Sequence, residues 1–106
     1  MTRSNGQQSG RAGRSPGRAA EREVAFILNS PDADEVYLSG DFNEWGPRTL
    51  PMIRRDADHW EKRLALAPGR YEYKFIVNGV WIHNPDSAEN VRNDHGSLNS
   101  VVEVKP

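Results

Sequence analysis

Two tryptophans stand in polar, turn-rich stretches of the sequence, where a soluble protein places few large apolar side chains. Trp45 lies in FNEWGP and Trp81 lies in GVWIHNP. A pyranose ring offers an apolar C–H face to an indole and hydroxyls to polar side chains, so an indole beside a donor such as Lys74 is a minimal set for sugar recognition. Two other interpretations stay open from these residues alone: Trp81 packs flat on Ile76 and the Lys74 stem, or it anchors a protein–protein interface.

The turn at Asn78 and Gly79 determines which side chains accompany Trp81. An Asn-Gly pair favours a two-residue hairpin loop, because both positions need positive φ, and such a loop fixes the strand register. The predicted pairs are Val77 with Val80, Ile76 with Trp81, Phe75 with Ile82 and Lys74 with His83. Directly opposed residues share a face of the sheet. The predicted core face carries Tyr73, Phe75, Val77, Val80 and Ile82. The predicted solvent face carries Lys74, Ile76, Trp81 and His83.

The remaining apolar residues form short runs separated by turn residues, a pattern typical of an all-β protein. VAFILN (24–29) predicts a strand buried on both faces, EVYLSG (35–40) predicts a second strand, and HWEKRLAL (59–66) predicts a strand with Trp60 on its buried side. Residues 84–96 are predicted to be a loop that leads into a final strand, LNSVVEV. Six or seven strands in about 84 residues predict an immunoglobulin-like antiparallel β-sandwich.

The beginning of the chain differs in composition from the rest. Residues 1–22 contain five Arg, one acidic residue and no aromatic residue, whereas residues 23–106 contain 9 basic and 14 acidic residues. The first segment is therefore predicted to be a disordered Arg/Gly/Ser-rich tail, and the second a single folded domain. The tail could contact nucleic acid, but an acidic domain without a basic groove is not expected to bind it.

The residue types disfavour several classes of function. The chain has no cysteine, and His59, His83 and His95 share no recognised ligand spacing, so no metal site is expected. Glycoside hydrolysis needs two carboxyls that face each other across a cleft, and the carboxyls available here lie in loops of a fold that is expected to offer no deep cleft. These carboxyls are Asp41, Glu44, Asp86, Glu89 and Asp94. We therefore predict a protein that is not an enzyme and uses no cofactor. No apolar run approaches the roughly 18 residues of a membrane span, which predicts a cytoplasmic protein.

Three ordered motifs resemble a known family. VYLSGDFNEWGP, LAPGRYEYKFIVNGVWIHNPD and GSLNSVVEV are similar to carbohydrate-binding module family 48. That family includes the glycogen-binding domain of the AMP-activated protein kinase β subunit and the early-set modules of starch-branching and debranching enzymes. The resemblance runs from about Glu23 to Lys105. It implies an early-set form of the immunoglobulin-like sandwich that binds α-1,4-linked glucan such as glycogen or starch.

The resemblance also implies roles for five residues. Trp45 and Trp81 would stack on glucose rings, while Lys74 and Asn99 would hydrogen-bond to sugar hydroxyls. His95 is a departure, because kinase-type domains carry an apolar residue there that inserts into the curved glucan. The alternative function, from a different class, is a protein-interaction or regulatory module in which the same sandwich docks onto a kinase or a glucan-metabolising enzyme.

Overall fold

The computed structural model of the protein describes residues 20–106, so the predicted disordered tail lies outside the described residues except for its last three positions. Eight strands follow one another in this part of the chain. They are β1 Arg22–Asn29, β2 Val36–Gly40, β3 Ile53–Arg54, β4 His59–Leu66, β5 Gly69–Val77, β6 Val80–Ile82, β7 Asn90–Arg92 and β8 Leu98–Val104. A 3-10 turn, Asp41–Asn43, follows β2. No helix within the described residues has the length and apolarity that crossing a membrane requires.

All strand pairs are antiparallel, and they form two sheets that enclose one core. The three-stranded sheet has the order β1-β4-β3, and the five-stranded sheet has the order β2-β5-β8-β7 with β6 also paired to β5. Both sheets supply the core, which includes Phe26, Leu28, Trp60 and Leu66 from the first sheet and Leu38, Tyr73, Phe75 and Val104 from the second. The predicted antiparallel sandwich is confirmed, and the buried position of Trp60 is confirmed with it.

Two local predictions about strands were wrong. β7 lies inside the segment predicted to be a loop, because its one apolar residue, Val91, gives no alternating pattern and its partner is the distant β8. β1 was predicted to be buried on both faces, but only Phe26 and Leu28 are buried, and Ile27 is 49% exposed. The reason is that the three-stranded sheet packs on the core through one face only.

The β5–β6 hairpin has the predicted register over three of the four predicted pairs, but β6 ends at Ile82, so the predicted pair of Lys74 with His83 is not formed. Val77 faces Val80, Ile76 faces Trp81 and Phe75 faces Ile82. Asn78 and Gly79 adopt φ of 48° and 85°, and the Asn78 side chain accepts hydrogen bonds from the backbone N–H groups of Asp34 and Glu35 at 2.8 and 3.1 Å. Val80 was predicted on the core face but is 60% exposed, because β6 has one neighbouring strand and Val80 borders the turn.

Gly40 brings the end of β2 against β5 closely enough to exclude a side chain. A Cβ atom at Gly40 would lie 2.5 Å from the carbonyl oxygen of Glu72 and 2.8 Å from both Cβ of Tyr73 and Cζ of Phe42. The chain leaves β2 at this point and enters the loop that carries Trp45, whose backbone N–H donates to the Gly40 carbonyl at 2.9 Å. The close contact between Gly40 and β5 therefore fixes the position at which the Trp45 loop leaves the sheet.

An ion pair connects β5 to the segment that precedes β7. The guanidinium nitrogens Nη1 and Nη2 of Arg70 donate to the two carboxylate oxygens of Glu89. The hydrogen bonds from Arg70 lower the pKa of Glu89 below its ordinary value of 4.5. The backbone carbonyl of Glu89 also accepts from the N–H of Val101 at 2.9 Å, so this contact holds the start of β7 against β8.

We expect Gly40→Ala to destabilise the fold by about 1–3 kcal/mol, because overpacked sites must displace their neighbours and two of the atoms crowded here belong to β5. Chemical denaturation followed by circular dichroism measures this loss. Gly46→Ala is the matched control in the same loop, since its new Cβ would approach only the Thr49 side chain and a backbone oxygen, at 3.1 to 3.4 Å. Equal denaturation midpoints for Gly40→Ala and the wild type would contradict the steric argument.

Glu89→Gln is expected to lower stability near neutral pH and to have no effect in acid. Because the pKa of Glu89 is lowered in the folded state, its stabilisation is present above pH 4.5 and is lost as the pH falls through the lowered pKa. Denaturation of wild type and variant at several pH values tests this convergence. Glu35→Gln is the control, since Glu35 lies 4.0 Å from its ion-pair partner Arg48. If wild type and Glu89→Gln differed in stability by the same amount at all pH values, the stabilisation could not be assigned to the ionised carboxylate of Glu89.

Candidate functional site

An open pocket of about 570 Å³ lies on the outer face of the five-stranded sheet, the face turned away from the core. All five residues singled out from the sequence line it: Trp45, Lys74, Trp81, His95 and Asn99. Five further residues complete the wall: Asp41, Glu72, Asn93, Asp94 and Ser97. The pocket therefore brings together side chains from β5, β6 and β8 with two loops, one after β2 and one between β7 and β8.

The two indoles lie side by side at one wall of the pocket. Their ring centroids are 6.5 Å apart and their planes are inclined by 34°. Trp81 is 42% exposed and stands directly opposite Ile76, which is 5% exposed. Directly opposed side chains interact, so a buried aliphatic side chain supports Trp81, which remains partly exposed to solvent.

The loop after β2 holds Trp45 in place through its backbone and its ring. Glu44 and Trp45 are consecutive left-handed residues, with φ of 55° and 59°. Indole Nε1 of Trp45 donates to Oδ1 of Asp41 at 3.1 Å, and Oδ2 of the same carboxylate accepts from the backbone N–H of Glu72 at 2.7 Å. Asn43 closes the loop, since its side chain accepts from the N–H of Gly40 and donates to the Gly46 carbonyl and the Thr49 hydroxyl.

Lys74 is more buried than the sequence predicted. It shares the outer face of β5 with Glu72, as the alternation requires, but it is only 8% exposed. Its Nζ donates to the Ser97 hydroxyl at 2.9 Å, and it forms no ion pair within residues 20–106. The burial arises because the loop between β7 and β8, which the local pattern of β5 does not reveal, folds over this part of the sheet.

Asn93 organises the loop between β7 and β8. Its Oδ1 accepts from the backbone N–H groups of His95 and Ser97 at 2.9 and 3.1 Å. Its Nδ2 donates to the Ser97 hydroxyl at 2.8 Å and to Oδ1 of Asn99 at 3.0 Å. Gly96 turns the chain with φ of 83°. One side chain therefore fixes the positions of the loop's backbone and of two polar groups in the pocket.

Asn99 extends this network across the sheet to β5. Its Nδ2 donates to Oε1 of Glu72 at 3.0 Å, and the residue is 7% exposed. The hydrogen bonds thus run without a break from Lys74 through Ser97 and Asn93 to Asn99 and Glu72. Such a connected network holds its polar groups in fixed positions before any ligand arrives.

Five pocket residues were not assigned to binding from the sequence. Some of them could have been identified from the strand pattern, and others could not. Glu72 precedes Lys74 by two positions in the same strand, so the alternation that placed Lys74 on the outer face also places Glu72 there. Asp41 and Asp94 were considered only as catalytic carboxyls. Asn93 and Ser97 act through the pairing of β7 with β8, and because β7 was predicted to be loop, no signal pointed to them.

The pocket combines flat aromatic surfaces with a rim of amide, hydroxyl and charged groups, which suits a ligand that has both apolar faces and hydroxyls. Of the carboxyls considered for hydrolysis, Asp41 and Asp94 line the pocket, and both oxygens of Asp41 already accept hydrogen bonds. Among residues 20–106, no group of three or more His, Asp or Glu side chains is placed to hold a metal ion. The aromatic surfaces and the polar rim are therefore the features of this pocket that can recognise a ligand.

A maltogenic amylase from S. marinus contains the same fold. The alignment has a TM-score of 0.70 and covers 85% of this chain and 14% of that one, at 24% sequence identity. A likeness at this identity shows the fold alone.

Two relatives in sequence are more informative. The β-2 subunit of 5'-AMP-activated protein kinase from Mus musculus is 37% identical over 87 residues, which are 82% of this chain and 31% of that sequence. The phosphoglucan phosphatase LSF1, chloroplastic, from Arabidopsis thaliana is 32% identical over 81 residues, which are 76% of this chain and 14% of that sequence. The chain thus spans less than a third of the length of these two relatives.

A family model matches nearly the whole described part of the chain. Residues 24–106 fit the family described as the glycogen recognition site of AMP-activated protein kinase. This match and the two relatives confirm the resemblance to carbohydrate-binding module family 48 that three sequence motifs indicated. The chain belongs to the family of glycogen recognition sites of AMP-activated protein kinase.

Proposed function

We propose that the protein is a non-catalytic module that binds α-1,4-linked glucan of the glycogen or starch type in the pocket on the five-stranded sheet. Trp45 and Trp81 stack on two glucose units, and Lys74 and Asn99 hydrogen-bond to their hydroxyls. His95 contacts the sugar at the rim. The observation that carries the proposal is the pair of neighbouring indoles, 6.5 Å apart, above a connected polar network.

The inclination of the indoles favours a bent ligand. Planes that meet at 34° present two adjoining facets instead of one flat surface. An α-1,4-linked glucan curves from one unit to the next, so neighbouring rings turn their apolar faces in different directions. A flat, ribbon-like β-linked glucan would contact one facet well and leave the other. The geometry therefore supports the α linkage that the family description also suggests.

The polar network has hydrogen-bonding capacity left for a ligand. An ammonium has three donors, and one donor of Lys74 is used by Ser97. Oδ1 of Asn99 has two lone pairs, of which one accepts from Asn93. Sugar hydroxyls both donate and accept, so they match these remaining positions. The site is open and its apolar contact area is small, hence we expect dissociation constants of roughly micromolar to millimolar.

A second candidate function is docking onto a kinase or a glucan-metabolising enzyme. It is supported by the similarity of the chain to a kinase subunit and to a phosphoglucan phosphatase. Ile27 and Ile53 also stand exposed on the outer face of the three-stranded sheet, on the two sides of Glu61. Docking there would leave the pocket accessible, so the two functions are compatible. Capture of a partner that is insensitive to added maltoheptaose would favour a separate docking surface.

Replacing either platform tests the main proposal. Trp45→Ala and Trp81→Ala are each expected to weaken binding of maltoheptaose by about tenfold or more, because each removes most of one stacking surface. Titration of amide chemical shifts with maltoheptaose measures the affinity, and the unbound spectra report the fold. Ile27→Ala is the control, since it also truncates an exposed apolar side chain but lies on the opposite sheet. Normal binding by the double tryptophan variant would refute the proposal.

Replacing the cationic donor tests the polar half of the site. Lys74→Met keeps an aliphatic stem and removes the ammonium, so maltoheptaose affinity is expected to fall about threefold to tenfold, the equivalent of one net hydrogen bond. The same titration measures the change. Lys62→Met is the control on β4 of the other sheet. Unchanged affinity in Lys74→Met would show that Lys74 only supports Ser97 and the loop.

A further inference from the structure

The pocket carries more negative than positive groups, although its proposed ligand is neutral. Asp41, Glu72 and Asp94 contribute three carboxyls, whereas Lys74 is the one Lys or Arg side chain among its lining residues in the described chain. We propose that this charge makes the site specific for unmodified glucan and that it rejects glucosyl units that carry a phosphate monoester. The inference rests on the proposed function and adds the class of ligand that the same site accepts.

The carboxyls differ in what they already bind, and Asp94 is the most available. Within residues 20–106, its carboxylate accepts no hydrogen bond and forms no ion pair, and the residue is exposed at the rim. One oxygen of Glu72 accepts from Asn99. Both oxygens of Asp41 accept from N–H donors, which orient the group without removing its charge. Two sides of the pocket therefore present negative charge to whatever lies on the indoles.

Lys74 is one cation against three carboxyls, so it can offset only part of the negative charge that an anionic ligand meets. It is also 8% exposed, and Ser97 uses one of its three ammonium donors. A glucan phosphate carries a charge of about −1.5 to −2 near neutral pH and has oxygens that only accept at full ionisation. It would meet carboxylates, which are also acceptors, so repulsion would add to the loss of water from both partners. A neutral hydroxyl at the same place can donate to a carboxylate instead.

The test compares one short sugar with its phosphate ester. Maltotriose phosphorylated at O6 of the central unit suits the purpose. Any two neighbouring units of this sugar include the phosphorylated one, so the sugar cannot bind to both indoles without placing the phosphorylated unit in the pocket. We expect the ester to bind at least tenfold more weakly than maltotriose at low salt. The ratio of the two dissociation constants should shrink between about 0.01 M and about 1 M salt, where the Debye length falls from about 30 to 3 Å.

Variants locate the effect. Asp94→Asn and Glu72→Gln each remove one charge, and glutamine keeps an acceptor for Asn99, so both should narrow the ratio. Glu23→Gln makes the same change of net charge on the opposite sheet, where Glu23 pairs with Arg63, and should leave the ratio unchanged. Amide chemical-shift titration measures every affinity.

Each outcome has one meaning. Equal or tighter binding of the phosphate ester would overturn the inference and leave the proposed function standing. A ratio that responds neither to salt nor to the two pocket variants would also overturn it, because exclusion would then be steric. Failure of both maltotriose and maltoheptaose to bind the wild type would contradict the proposed function, and the inference with it.

Discussion

The alternation of side chains along β5 is the constraint on which the rest of the molecule depends. Tyr73 and Phe75 point into the core, and Glu72 and Lys74 point into the pocket, so one strand serves both. A shift of β5 by one residue would exchange the two sets and would place a lysine in the core and a phenylalanine in the site. Burial of the core face therefore fixes the register of β5, and this register also determines which side chains of β5 face the pocket. Glu72 and Lys74 are therefore held in the pocket by the same pairing that holds the core.

The parts of the site that sequence could predict are those set by local geometry. The Asn78-Gly79 turn specifies the register of β5 and β6 over a few residues, and this placed Trp81 opposite Ile76 correctly. The burial of Lys74 depends on Ser97, which lies 23 positions away in the chain. The hydrogen bonds of Asn93 likewise require β7 to pair with β8. Neither contact leaves a periodic pattern, so sequence reasoning predicted an exposed lysine and a loop without a strand.

The outer face of the five-stranded sheet contains a second layer of packing that explains why indoles can be displayed there. Ile76 and Val101 are buried, at 5% and 8% exposure, yet neither belongs to the core cluster between the sheets. Two interpretations of Trp81, as a side chain packed on its neighbours and as a surface that a ligand could stack on, are thus compatible. Trp81 stands opposite the buried Ile76 in the ladder and still leaves 42% of its surface exposed. Packing stabilises the indole in one orientation, which lowers the entropy that binding would cost.

A preorganised but shallow site suits a ligand with many equivalent positions. The polar groups are joined in one hydrogen-bond network, so little ordering remains to be done when a ligand arrives, but an open pocket removes only a small apolar area from water. Under the proposed function, each contact with the glucan would be weak and easily reversed. The module could then move from one position on the polymer to the next. Tight binding at one position would prevent that movement.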